Sequence, residues 1–124
     1  MQQQQQQPNL TFVIVGLSHR LPAPSVVKRM AVNTTLICRP EPSNPYDSNA
    51  IAVWVDANLV DWEKCRREAK EWTEPVIIDG EFQLGYIPAK DAELLRFDRR
   101  LNIRGKFIIN SKNRPCVKLE AFMQ

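Results

Sequence analysis

The apolar residues of this chain come in short runs, many of them cut off by proline, glycine or an Asx residue. The longest, AIAVWV (50–55), has six residues. That is about the length of a strand, and far below the roughly 18 residues a membrane span needs. Such a pattern predicts short strands joined by tight turns.

Six segments read as strands. LTFVIV (10–15) is rich in β-branched and aromatic side chains and ends at Gly16. NTTLIC (33–38) alternates, with Leu36 and Ile37 on opposite faces. In AIAVWV, Ile51, Val53 and Val55 share one face and Ala52 and Trp54 the other. FQLGYI (82–87) holds Gly85. LNIRGKFIIN (101–110) sets Ile103, Gly105, Phe107 and Ile109 against Arg104, Lys106 and Ile108. VKLEAF (117–122) is the last. Between the first two, LSHRLPAPS (17–25) reads as a loop broken by Pro22 and Pro24.

Two segments change period. In residues 59–72, Trp62, Cys65, Ala69 and Trp72 fall at i, i+3, i+7 and i+10, one stripe of a helix. Behind Pro88, AKDAELLRF (89–97) reads as a second helix. The expectation is a mainly β fold: a small, partly closed barrel of six strands with two added helices. Residues 10–124 would form one domain, with a helical insertion at about 57–79. The Gln-rich residues 1–9 read as a disordered tail.

Charge gives the first hint of a partner. Residues 96–118 hold eight basic side chains against one acid, a net +7, so with +3 overall the rest of the chain carries −4. The bland reading is a solvated face; the sharper one is a polyanion partner. The three cysteines, Cys38, Cys65 and Cys116, are widely spaced and form no C-x-x-C. They argue against a disulfide framework or zinc knuckle and suit a reducing, intracellular compartment. MQQQQQQPN has neither the charged nor the apolar region of a secretory signal.

Enzyme chemistry finds little support. With glycines only at 16, 80, 85 and 105, no phosphate-cradling loop exists. A single histidine excludes H-E-x-x-H. A nuclease would need clustered carboxylates for Mg²⁺, and no spacing places Asp91 and Glu93 with Asp47. No catalytic residue, metal or cofactor is expected.

The stretch PEPSNPYDSN (40–49) is the most distinctive. Pro42 and Pro45 restrict it, and Asn44, Asp47 and Asn49 can each bind nearby backbone and hold a turn. On that reading Asp47 closes an Asx-turn and Tyr46 packs on the barrel. The alternative is that both residues touch a ligand.

FVIVGLSHR, RPEPSNPYDSNAIAVWV and FQLGYIPAKDAELL, in that order, resemble the HIRAN domain family from about Phe12 to at least Gly105. The resemblance implies an OB-like barrel with added helices that binds single-stranded DNA at a free 3′ end, in repair, replication or mobile-element DNA processing. It puts Tyr46 in the nucleotide pocket and Asp47 against the terminal 3′-hydroxyl. It places Ser18, His19 and Arg20 where relatives carry basic and aromatic side chains, and Tyr86 where they carry a polar or aromatic ring. One relative sets a pair of lysines where this chain has Pro88 and Ala89, with Lys90 one residue on, and a later pocket aromatic falls near Ile109, with Phe107 close by. Arg99, Arg100, Arg104 and Lys106 would form a secondary basic surface. A helicase or nuclease chain would supply any remodelling, and no membrane is involved. The competing reading is a protein-interaction adaptor docking through the Trp62/Trp72 helix, which would require those rings to form an open patch.

Overall fold

The computed structural model describes residues 10–95 and 102–120. The Gln-rich tail, Arg99, Arg100 and the ends of the expected 89–97 helix and 117–122 strand lie outside the described residues.

The elements run β1 (Thr11–Val13), α1 (Ala23–Arg29), β2 (Thr35–Pro40), β3 (Ile51–Asp56), α2 (Trp62–Glu68), β4 (Ile77–Ile78), β5 (Glu81–Tyr86), α3 (Ala89–Leu94), β6 (Ile103–Ile109) and β7 (Pro115–Leu119). Two 3-10 turns, Leu17–His19 and Ala57–Leu59, interrupt the loops. The strands make one seven-stranded sheet in the order β1-β7-β6-β2-β3-β5-β4. Every neighbouring pair is antiparallel.

The mainly β expectation holds, with corrections. The sheet has seven strands, not six, because β4 is an arm only two residues long. Asp79 and Gly80, both at positive φ (51° and 79°), turn it back onto β5. Asp-Gly is a favoured two-residue hairpin pair, and that signal went unread in the sequence.

No closed barrel forms among the described residues. β4 pairs with the β5 edge at Phe82 and Glu81, and the chain leaving β1 meets β5 at Tyr86. Val15 bridges there alone, through Val15 N to Tyr86 O and Tyr86 N to Val15 O, both 2.9 Å. Gly85 permits the approach: a Cβ on it would run into the Val15 carbonyl and sit 3.1 Å from an Ile14 methyl.

A third helix, α1, stands where a loop was expected. Pro24 fits its first turn because the N–H it lacks would have no helical partner there. Ala23, Val26 and Val27 of α1 face the core. Arg29 closes α1 onto α2, with Nε to Glu68 Oε1 at 2.7 Å and Nη2 to the Glu68 carbonyl at 3.1 Å. That guanidinium holds the Glu68 carboxyl below its ordinary range. The helix expected over 59–72 ends there: Ala69 is already extended, and Trp72 lies beyond the helix.

The core gathers Leu36 and Cys38 of β2, Ile51, Val53 and Val55 of β3, Leu84 of β5 and Phe107 of β6. Burying each large side chain contributes about 1.5–3 kcal/mol. Burial alternates along β6 as expected, except that Ile109 emerges, 40% exposed. β3 is different, because Ile51 to Val55 are all buried and both its faces are covered.

Candidate functional site

The loop between β2 and β3 is held by its own polar groups. Glu41 N donates to the Ala50 carbonyl at 2.9 Å and closes the neck. Asn44 Oδ1 accepts from Tyr46 N (2.8 Å) and Asp47 N (3.0 Å), while Asn44 Nδ2 donates to Glu41 Oε1 at 2.9 Å. Asp47 Oδ1 accepts from Asn49 N at 2.9 Å, and Ala50 N donates to the Asp47 carbonyl at 3.0 Å. Asp47 does close an Asx-turn. A carboxylate has two oxygens and several acceptor positions, so the turn takes only part of its capacity.

Tyr46 does not pack on the sheet. Its ring is 95% exposed, beside a backbone that cannot follow it inward because Asn44 fixes both neighbouring N–H groups.

Three chain segments meet beside this loop. The Tyr86 hydroxyl, at the end of β5, donates to Glu41 Oε1 at 2.9 Å. Arg20 Nη2 donates to the same hydroxyl at 3.4 Å, and the guanidinium carbon lies 5.8 Å from the Tyr86 ring centroid. The Val15–Tyr86 bridge brings the 3-10 turn with Ser18 and His19 to this corner. Ser18, His19 and Arg20 are all exposed. Glu41 was missed by sequence reasoning, although it stands in the R-P-E-P run two residues past Arg39.

The other expected residues stand apart. Lys90 is exposed in the first turn of α3, and no hydrogen bond or ion pair among the described residues ties it to the loop. Phe107 is wholly buried in the core, so it cannot replace the aromatic expected near Ile109. Arg104 is exposed on β6, and Lys106 Nζ lies 3.4 Å from Glu120 Oε2. The registers set Arg104 opposite Ile37, Ile37 opposite Trp54, and Trp54 opposite Gln83, one row across the sheet's outer face.

Trp62 and Trp72 are half-buried and packed against the core. Trp62 Nε1 donates to the Ala57 carbonyl at 2.9 Å, and its ring meets Phe82 edge-on at 5.3 Å. They seal the sheet and do not form an open patch.

Among the described residues, no three His, Cys, Asp or Glu side chains could share a metal ion, and no helix is long and apolar enough to cross a membrane. All three thiols are free and buried. Burial pushes that of Cys38 up to about 12.

Comparison with known families matches the HIRAN domain over residues 9–97, well over half of the chain. No match was found among curated proteins or solved structures. The chain belongs to the HIRAN domain family, whose members are non-catalytic modules that bind DNA ends.

Proposed function

We propose that this HIRAN domain binds single-stranded DNA and closes on a free 3′-hydroxyl end. The observation that carries the reading is the pairing of a pinned loop with a free ring: Tyr46 is 95% exposed on backbone fixed by Asn44 and Asp47. A ring held ready in solvent stacks on a base without reorganising, and such stacking is worth about 1–3 kcal/mol. Asp47 stands next in the chain. Its carboxylate would accept a hydrogen bond from a terminal hydroxyl, strengthened by charge, and would repel a phosphate in the same place. It therefore excludes the middle of a strand as much as it attracts the end.

Arg20, over Tyr86, would meet the phosphate that precedes the terminal nucleotide. Ser18 and His19, exposed on the neighbouring turn, would flank it. Lys90 and the basic surface of Arg99, Arg100, Arg104 and Lys106 would add charge along the strand. Residues 10–124 would act as one intracellular module in repair, replication or mobile-element DNA processing. A helicase or nuclease would supply the remodelling.

The test is fluorescence anisotropy with three labelled oligonucleotides: a single strand ending in a 3′-hydroxyl, the same strand ending in a 3′-phosphate, and a blunt duplex. The reading expects the first to bind tightest, with affinity falling as salt rises because phosphate contacts release counterions. Equal salt-sensitive binding to all three would reduce the site to a basic surface and overturn it.

A further inference from the structure

The turn between β6 and β7 holds two cations out to solvent. Asn110 builds it: its Oδ1 accepts from Lys112 N and Arg114 N, both at 2.9 Å. Asn110 N donates to the Arg114 carbonyl at 3.0 Å, and Asn113 N donates to the Asn110 carbonyl at 2.9 Å. Asn113 takes the left-handed conformation (φ 64°) that asparagine tolerates. These bonds use only backbone and the Asn110 side chain, so the Lys112 and Arg114 side chains stay out of the turn. Both are exposed, and neither has an ion-pair partner among the described residues. From Ile109 to Leu119 the chain has three bases, Lys112, Arg114 and Lys118, and no acid.

We propose that this turn is a phosphate site for the single strand whose end is held at Tyr46 and Asp47, a proposal that rests on the end-binding reading above. Its position carries the inference. Ile14 N donates to the Pro115 carbonyl at 3.0 Å, and Val15 pairs with Tyr86. The β1–β7 register sets Val13 opposite Cys116, and by continuation it sets Val15 opposite Arg114. Tyr86, Val15 and Arg114 therefore lie in one row, and opposed residues share a face of the sheet. Val15 is 39% exposed and Arg114 is exposed, so the row meets solvent. Two strand spacings, roughly 10 Å, separate the Tyr86 and Arg114 backbones. On the other side of Tyr86 stands Ala52 of β3, the strand that the Tyr46 loop feeds. A strand leaving Tyr46 thus crosses Tyr86, where Arg20 sits over the ring, and meets Arg114 and Lys112 beyond. An arginine fork grips a phosphate with two N–H groups and a lysine with a point charge, and such contacts position a strand without reading its bases. The turn is separate from Arg104, which lies near the start of β6, roughly 20 Å of strand from the turn at its end.

The experiment is fluorescence anisotropy of the full chain with 3′-hydroxyl oligothymidylates of increasing length, at several salt concentrations. It compares the parent, the double variant Lys112→Ala with Arg114→Ala, and Lys64→Ala with Arg67→Ala on α2 as a control for net charge. Parent affinity should climb with length and level off once the strand spans the turn, within the roughly 4–16 nucleotides that small single-strand-binding folds cover. The turn variant should lose that climb. Its salt slope on the longest strand should fall by about 1.4, at about 0.7 for each of two phosphates. Lys112→Ala alone should give about half of that change. Both turn variants should keep the preference for 3′-hydroxyl over 3′-phosphate, and the α2 control should follow the parent. The side chains removed are exposed and take no part in the turn's bonds, so the melting curves should match that of the parent. A parent affinity that does not grow with length, or a turn variant that matches the parent or the α2 control, overturns the site and leaves end recognition standing. A parent that binds both ends alike fails the end-binding reading. The turn is then judged by the salt slope alone: a drop in the turn variant and not in the control supports it, and no drop overturns it. A parent that binds no strand overturns both.

Discussion

Tyr86 donates its phenolic hydrogen to Glu41 across 2.9 Å, and this bond joins the end of β5 to the loop that presents Tyr46 and Asp47. The same Glu41 oxygen accepts from Asn44, whose carbonyl fixes the Tyr46 and Asp47 N–H groups. Arg20 completes the chain from the other side. The backbone that carries the exposed ring is therefore linked, through Glu41 and Asn44, to the Tyr86 hydroxyl.

Tyr86→Phe tests that link. It removes one part-buried hydrogen bond, so stability should fall by about 1 kcal/mol. Binding of a 3′-hydroxyl strand should weaken about 3–10-fold as the loop loses its anchor, since about 1 kcal/mol corresponds to that range. Thermal melts and anisotropy on the same sample check both. Unchanged affinity would show that the loop holds itself.

Tyr46→Ala separates binding from folding. The ring makes little contact with the fold at 95% exposure, so the melting curve should move by less than about 0.5 kcal/mol. Affinity for single-stranded DNA should nevertheless drop about tenfold, by the loss of one base stack. Affinity equal to that of the parent would remove Tyr46 from the site.

Gly85→Ala tests the approach of β1 to β5. The new methyl would meet the Val15 carbonyl, a backbone atom that cannot swing aside as a flexible side chain can. A cost of about 1–3 kcal/mol is expected, with the Arg20 turn displaced and DNA affinity reduced along with stability. A variant as stable as the parent would show that the Val15 bridge is dispensable.

The buried thiols predict a pH dependence. Burial raises Cys38 to about 12 from an ordinary value of 9.0, and raises Cys65 and Cys116 in the same direction. Below about pH 9 the thiols are protonated in both folded and unfolded chain, and they set no pH slope. Above it the unfolded chain releases protons that the folded chain keeps, so stability falls as pH rises toward 12. Urea midpoints measured from pH 8 to 10.5 should decline, and Cys38→Ala should flatten the decline. At pH 8 a thiol reagent should label none of the three until denaturant is added.

Much of this molecule is legible in its sequence. Alternation found β6, with Ile103, Gly105 and Phe107 buried and Arg104 outside. The asparagine and aspartate of the N-P-Y-D run marked the turn that Asn44 and Asp47 build. What was hidden depends on contacts between distant segments. The expected helix over 59–72 stops at Glu68, where Arg29 from another helix meets its carbonyl. The expected partly closed barrel is met by an open sheet whose ends touch only at the Val15–Tyr86 bridge, with a two-residue arm, β4, on part of the β5 edge. Periodicity marks neither. Glu41 joins the site through Tyr86, 45 positions on, and no local pattern pairs the two. The Asp79-Gly80 turn was readable and was overlooked.

The most direct measurement is the ratio of dissociation constants for 3′-phosphate and 3′-hydroxyl strands, taken for the parent and for Asp47→Asn. The asparagine keeps an oxygen for the Asn49 N–H and so keeps the turn, but it loses the charge. End recognition by Asp47 predicts that the parent favours the hydroxyl by about tenfold or more, since a like charge in the pocket costs at least about 1.4 kcal/mol. It predicts that Asp47→Asn brings the ratio close to one without unfolding the chain. A ratio unchanged by the substitution, or a parent indifferent to the two ends, would contradict it.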